Sequence, residues 1–172
     1  MHKLRHTPGD PEEALTKAIE EVIGNGPVYV LGLGYVDKAD DGAGVLVANA
    51  LKKAFPDRSF SEHDGLEGIV LDISEKPCPG TVLFVDVGNI GEAPGSIEVV
   101  TMDEIKETEV STHKVPVALM AAVLERSGKR VAAVLIHPKS LEFRGDLSSE
   151  VSKAIDVVVA SVSIIMESRK VT

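Results

Sequence analysis

Three aspartates lie in one short loop that follows the apolar segment 27–34: Asp37, Asp40 and Asp41. A loop rich in carboxylates at the mouth of a parallel sheet suits a cation, because carboxylate oxygens are good ligands for metal ions. Asp40 and Asp41 also precede a segment with helical periodicity, where acidic residues cap and stabilise the helix. The residues alone leave both roles open, since one aspartate can cap while its neighbour points into the cleft.

A further carboxylate and a histidine stand in comparable places later in the chain. Asp86 ends the apolar run 81–86, where a side chain should emerge at the carboxyl edge of the sheet, although it could instead start an Asx-type turn. His113 precedes a helical segment, and neutral imidazole is a common ligand for nickel and zinc, although a lone histidine is usually structural or exposed. No local spacing rule joins Asp41, Asp86 and His113, so an Asp/Asp/His metal site is a hypothesis.

The glycine pair before this loop invites comparison with dinucleotide-binding proteins. Their fingerprint requires Gly-x-Gly-x-x-Gly, and here Gly32 and Gly34 are followed by Asp37 at the third glycine position. A carboxylate there would also repel a pyrophosphate. A nucleotide- or flavin-binding domain is therefore disfavoured.

The composition indicates a folded, acidic protein. The 172 residues suffice for one domain with a core, 44% are hydrophobic, and the formal charge at pH 7 is −9. This charge disfavours nucleic-acid binding, which relies on Lys and Arg. The single cysteine, Cys78, excludes an internal disulfide and a cysteine-rich metal site. Without a signal peptide or a membrane-length apolar segment, we expect a cytoplasmic protein with no membrane insertion.

Strand-like and helix-like segments alternate along the chain. The helices are predicted at 11–24, 43–55, 66–74, 115–126 and about 148–168, and the strands at 27–34, 59–63, 81–86, 95–100 and 130–137. This alternation predicts an α/β fold with three αβα layers and a mainly parallel central sheet between helices, with one antiparallel strand. The last segment is rich in valine, so a strand is its alternative, but its length favours a helix.

Details of three segments can be checked against a structure. The first helix should begin at Pro11 with Asp10 as its N-cap. It belongs to an N-terminal helical segment at about 10–25, and residues 1–172 are expected to form a single domain. Segment 95–100 alternates like a half-exposed strand. In segment 115–126 the predicted apolar face consists of Leu119, Met120, Val123 and Leu124.

Four blocks of sequence, in order and with suitable spacing, resemble the hydrogenase maturation endopeptidases. The resemblance covers about 28–168. The blocks are VLGLG at 30–34 leading to DDGAG at 40–44, LFVD at 83–86 followed by APGSI at 93–97, STHKVP at 111–116, and IHPKSLE at 136–142 followed by LSSEV at 147–151.

The resemblance implies a metal-binding cleft formed by Asp41, Asp86 and His113. Asp64 resembles a further acidic position of the family, and Asp41 or Asp64 is the expected catalytic base. The metal is nickel carried by the substrate, and zinc or cadmium is expected to occupy the site of the isolated protein. The implied activity is removal of the C-terminal extension from a nickel–iron hydrogenase large-subunit precursor after nickel insertion. The alternative is a non-proteolytic module of the same fold that binds the metal or the precursor.

Three departures from the family pattern bear on subfamily and substrate. Tyr35 stands where the family usually has asparagine, and His137 stands where glutamine or another polar residue is common. Residues 65–68 match the usual threonine-containing motif poorly. The three proposed metal ligands are all present.

Overall fold

A computed structural model describes residues 2–3, 9–77, 79–107 and 114–169 of the chain. Cys78 and the predicted ligand His113, together with Ser111 and Thr112, lie outside the described residues.

The described elements alternate between strand and helix for most of the chain, as the sequence predicts, except that β5 follows β4 and α5 follows α4. In chain order they are β1 (His2–Lys3), α1 (Pro11–Val22), β2 (Val28–Gly32), α2 (Ala43–Lys52), β3 (Ser59–Ser61), α3 (Leu66–Glu75), β4 (Thr81–Val87), β5 (Ile97–Thr101), α4 (Met102–Glu107), α5 (Lys114–Arg126), β6 (Arg130–Ile136) and α6 (Ser149–Ser168). Short 3₁₀ turns at Ala39–Gly42 and Glu62–Asp64 follow β2 and β3.

The strands form one sheet in the order β1-β5-β6-β4-β2-β3. Strands β3, β2, β4 and β6 pair in parallel, whereas β5 pairs antiparallel with both β6 and β1. Only β5 therefore runs against the direction of the other strands. The α/β fold, the mainly parallel sheet and the single antiparallel strand are confirmed.

Helices cover both faces of the sheet, because successive strand residues point to opposite sides. On one face α1, α2 and α6 pack over inward-facing strand residues such as Val30, Leu83 and Val134. On the other face α3, α4 and α5 pack over residues such as Leu31 and Phe84. This burial of both strand faces explains why the central strands are continuous apolar runs. The three-layer αβα arrangement is confirmed.

Side-chain caps mark the starts of α1 and α6, and the cap of α1 is the predicted Asp10. Asp10 precedes α1 and its carboxylate accepts a hydrogen bond from the Glu12 N–H at 3.0 Å, with Pro11 at the first helical position. Ser148 precedes α6 and its hydroxyl accepts from the Val151 N–H at 3.3 Å. The valine-rich last segment is thus a helix. In the described ranges, no helix is both long enough and apolar enough to span a membrane.

Two predictions about apolar faces were wrong. The strand predicted as half-exposed at 95–100 lies at Ile97–Thr101, and Glu98 in it is buried. The reason is that β5 lies inside the sheet between β1 and β6 and both of its faces are covered. In α5, Leu119 and Val123 are exposed, while Met120 and Leu124 are buried. The buried stripe also includes Val117 and Ala121, which lie on the same helical face as Met120 and Leu124. The structure also adds α4, which was not predicted.

Candidate active site

The strand order places the expected crevice of the sheet at the carboxyl ends of β2 and β4. After β2 the chain moves outward to β3, then returns across β2 to form β4, so strand order reverses between these two neighbours. Sites in open α/β sheets lie outside the carboxyl ends of the strands at such a reversal. Asp41 follows β2, and Asp86 is the penultimate residue of β4. The fold therefore brings two predicted site residues to one edge of the sheet.

Glycines allow the backbones around this crevice to approach each other closely. A Cβ on Gly44 in α2 would overlap the carbonyl oxygens of Val85 and Leu33. A Cβ on Gly34, whose φ is 123°, would overlap the Asp41 carbonyl. Leu33 N also donates to the Val85 carbonyl at 2.9 Å. Gly44, three residues after Asp41 in the first turn of α2, is thus packed against the residue that precedes Asp86.

Asp41 is only 3% exposed and lies in the 3₁₀ turn that leads into α2. Its Oδ2 accepts a hydrogen bond from the Tyr35 N–H at 2.9 Å, which holds the loop after β2 around the carboxylate. The turn requires an unusual backbone, since Ala39 has a φ of 43°. Such left-handed conformations of non-glycine residues are kept only where the surroundings enforce them. The orientation of Asp41 is therefore fixed by the fold.

Asp86 is only 2% exposed, although it is a carboxylate inside a strand. Its Oδ1 accepts a hydrogen bond from the Val87 N–H at 2.8 Å. The Gly88 N–H, which an Asx turn at Asp86 would use, donates instead to the Ile136 carbonyl at 3.0 Å. The Asx turn of this loop starts at Asn89, whose side chain accepts from the Gly91 N–H at 3.1 Å. Buried carboxylates are rare and are often functional where a cleft is close by.

Asp40 has a structural role that the sequence did not reveal. It is fully buried and its carboxylate accepts four hydrogen bonds. Its Oδ2 accepts from Lys139 N at 2.8 Å, from Ser140 N at 3.1 Å and from Ser148 Oγ at 3.0 Å. Its Oδ1 accepts from Ser148 N at 2.7 Å. The alternative that the aspartates cap the following helix is wrong: the N-cap of α2 is Gly42, with no side-chain hydrogen bond.

Asp64 is in a different environment from Asp41 and Asp86. Its Oδ2 accepts from the Ser61 N–H at 2.8 Å in a capping box, and its Oδ1 pairs with Lys52 Nζ at 2.6 Å. The hydrogen bond from Lys52, followed by that from Ser61, lowers the pKa of Asp64 below the usual 3.8. Asp64 is thus engaged in a partly exposed ion pair in the turn after β3.

Replacing Lys52 by methionine should raise the pKa of Asp64, because the largest cause of its lowering is removed while the apolar stem is kept. A carboxylate whose pKa is lower in the folded than in the unfolded state stabilises the fold when the pH is above the unfolded-state pKa. This stabilisation is lost as the pH falls through the folded-state pKa. The variant should therefore be less stable at neutral pH by at most about 1 kcal/mol, as is usual for exposed ion pairs. The difference should vanish in acid.

Carboxyl NMR titration and denaturant melts at several pH values would check this expectation. Lys53→Met, at the neighbouring exposed position, is the control and should leave the Asp64 pKa lowered. An unchanged Asp64 pKa in Lys52→Met would contradict the assignment.

Two further contacts order the loops around the crevice. Glu62 Oε2, just after β3, accepts from the Gly34 N–H at 2.9 Å. His137 Nδ1, just after β6, accepts a hydrogen bond from the Ile90 N–H at 3.2 Å. Neither residue was predicted as part of the site. The available signal was position alone, since both directly follow a strand at the carboxyl edge.

The donor set fits a divalent metal in part. Two buried carboxylates at one crevice supply oxygen ligands, and the third predicted ligand, His113, precedes α5 outside the described residues. Within the portion of the chain that the structure describes, no group of three His, Cys, Asp or Glu residues could hold a metal ion. Asp41 and Asp86 alone are two ligands, so the three-ligand site that includes His113 stays a prediction.

Comparison with known proteins places the chain in a family. The family of HycI hydrogenase maturation proteases matches residues 65–164, more than half of the chain. A relative from Methanocaldococcus jannaschii, provisionally named a hydrogenase maturation protease, is 25% identical over 155 residues, which cover 83% of this chain and 90% of the relative.

Solved structures agree with this assignment. The endopeptidase HycI from Escherichia coli is 25% identical, with a TM-score of 0.65 over 80% of this chain and 89% of its own. The nickel–iron hydrogenase maturation protease HycI from Thermococcus kodakarensis shares the fold, with 23% identity and a TM-score of 0.70 over 89% of this chain and 98% of its own. The chain therefore belongs to the hydrogenase maturation protease family, and it is an enzyme of the peptidase class.

Proposed function

We propose that this endopeptidase removes the C-terminal extension of a nickel–iron hydrogenase large-subunit precursor after nickel has been inserted. The observation that carries the proposal is the pair of buried carboxylates, Asp41 and Asp86, at the strand-order reversal of a chain in this family. The T. kodakarensis relative is named for nickel–iron hydrogenases, and we extend that substrate class to this chain.

Asp41, Asp86 and His113 recognise the nickel that is already seated in the precursor. Three ligands leave coordination positions for groups of the substrate, whereas a closed structural metal site normally uses four protein ligands. Carboxylate and imidazole groups both bind nickel. Recognition of the metal restricts cleavage to precursors in which insertion is complete. Zinc or cadmium would occupy the same ligands in the isolated protein.

Peptide-bond hydrolysis needs a group that accepts a proton from the attacking water. Asp41 is the stronger candidate for this base, because its burial beside the crevice places it near a substrate held there. Asp64 is the weaker candidate, since the bond from Lys52 lowers its pKa and makes it a poor proton acceptor. A nickel ion in the substrate would polarise the groups bound to it.

Cleavage of a purified precursor tests the proposal against the alternative of a binding module. Nickel-loaded large-subunit precursor is incubated with catalytic amounts of this protein, and the precursor mass is followed with time. Loss of a C-terminal peptide with turnover supports the protease. Stoichiometric capture of an intact precursor, detected by size-exclusion chromatography, would instead establish the non-proteolytic module.

A further inference from the structure

Exposed apolar side chains are concentrated on two loops next to the crevice. Five of the ten exposed large hydrophobic residues of the described chain lie there, and the other five are spread over four helices. Tyr35 and Phe143 are the two aromatic members, with 51% and 63% of their surfaces exposed. We call this set the apolar rim: Tyr35, Val36, Leu141, Phe143 and Leu147.

Backbone contacts hold the two loops of the apolar rim together. Arg144 N donates to the Asp37 carbonyl at 2.7 Å, and Asp40 N donates to the Ser140 carbonyl at 3.1 Å. Arg144 has a left-handed φ of 58°, so this connection is kept in a conformation that its own residue type disfavours. The apolar rim is thus one surface built from two segments distant in sequence.

The apolar rim is continuous with the candidate site through Tyr35. The N–H of this residue donates to the Asp41 carboxylate at 2.9 Å, while its ring is exposed. The neighbouring Asp40 receives four hydrogen bonds from the ends of segment 139–148, which carries Phe143. The 3₁₀ turn Ala39–Gly42 therefore carries both the proposed metal ligand Asp41 and the residue that binds segment 139–148, Asp40.

We infer that the apolar rim is the docking surface for the hydrogenase large-subunit precursor. Asp40 is a positioning residue, because its hydrogen bonds to segment 139–148 hold this surface beside Asp41. The inference rests on the proposed function for the identity of the substrate. A protease must seat a polypeptide next to its catalytic groups, and this apolar surface shares a hydrogen bond with Asp41. Exposed aromatic side chains bury a large area at little entropic cost when a protein binds.

The first arm of the test replaces Phe143 by alanine and measures precursor processing. Because the side chain is mostly exposed, folding should be unaffected. We expect the KM for the precursor to rise by about tenfold while kcat stays within about twofold, as for loss of one aromatic contact in an interface. The control is Ile164→Ala, which changes an apolar residue of α6 that is 52% exposed, and it should leave both constants unchanged.

The second arm tests Asp40 through its partner, because replacing a fully buried carboxylate could unfold the chain. Ser148→Ala removes one hydrogen bond to Asp40 and also the N-cap of α6. Asp10→Ala removes the N-cap of α1 only and is the matched control. Ser148→Ala should raise KM at least about threefold with kcat retained, whereas Asp10→Ala should not. Ser148→Thr, which keeps the hydroxyl, should restore the parent KM.

Dissociation constants for the precursor, measured in parallel, separate failure of the docking inference from failure of the proposed function. A parent chain that binds without cleaving would overturn the protease, and the variants would still decide the docking surface by their dissociation constants.

Equal KM or dissociation constants for Phe143→Ala and parent would overturn the docking surface. Equal effects of Ser148→Ala and Asp10→Ala would overturn the positioning role of Asp40. A parent that neither binds nor cleaves would overturn both proposals.

Discussion

The Asp86→Asn variant is expected to fold as the parent does and to lose precursor cleavage by about two to three orders of magnitude. The amide oxygen can still accept the hydrogen bond from the Val87 N–H, so the end of β4 should keep its geometry. The amide has no charge, however, and it is a much weaker ligand for nickel than a carboxylate. Asp41→Asn should behave in the same way, because its amide oxygen can still accept from Tyr35 N.

Rates of precursor processing, thermal melts and calorimetric titration with nickel would be measured together on each variant. Asp72→Asn, an exposed acidic residue on α3, carries the same change of charge and should match the parent in all three measurements. We expect the isolated parent to bind nickel with modest affinity, since three ligands leave positions to solvent. Equal nickel affinity of parent and Asp86→Asn would refute the ligand assignment.

Gly44→Ala should lower the free energy of unfolding by about 3 kcal/mol, at the upper end of the usual cost of overpacking. The added methyl group would overlap the backbone carbonyls of Val85 and Leu33, neither of which can rotate away as a side chain could. Relief requires α2 to move away from the sheet, and Asp41, three residues before Gly44, would move with it. Asp41 and Asp86 would then separate, so activity should fall with stability.

Gly68→Ala is the matched control, because it makes the same change in α3 where a Cβ meets no atom within 4 Å. It should stabilise the protein by up to about 1 kcal/mol, since alanine favours helix more than glycine does. Denaturant unfolding of both variants checks the pair. If Gly44→Ala were as stable as the parent, the close approach of α2 to β2 and β4 would not hold the crevice together.

Much of the fold was predictable because it depends on local patterns. Continuous apolar runs such as 81–86 indicate strands buried on both faces, and glycine or proline punctuates the elements between them. The capping residue Asp10 marked the start of α1 correctly. The positions of Asp41 and Asp86 followed from the rule that parallel sheets place their sites at the carboxyl edge.

The remaining features depend on contacts between distant segments, which local patterns do not specify. Asp40 resembles a helix cap in sequence, but its four donors come from residues about a hundred positions away. Glu98 alternates with apolar residues as in a half-exposed strand, yet the neighbouring strands of β5 and the layers on both sides bury it. The coordination role of His113 stays a prediction from the family resemblance.

The most direct test of the account is mass spectrometry of a large-subunit precursor, prepared with and without nickel and mixed with this protein or its His113→Ala variant. We predict loss of a C-terminal peptide only from the nickel-loaded precursor and only with the parent chain. Processing of the nickel-free precursor, or undiminished processing by His113→Ala, would contradict the proposal that Asp41, Asp86 and His113 recognise the nickel before the peptide bond is cut.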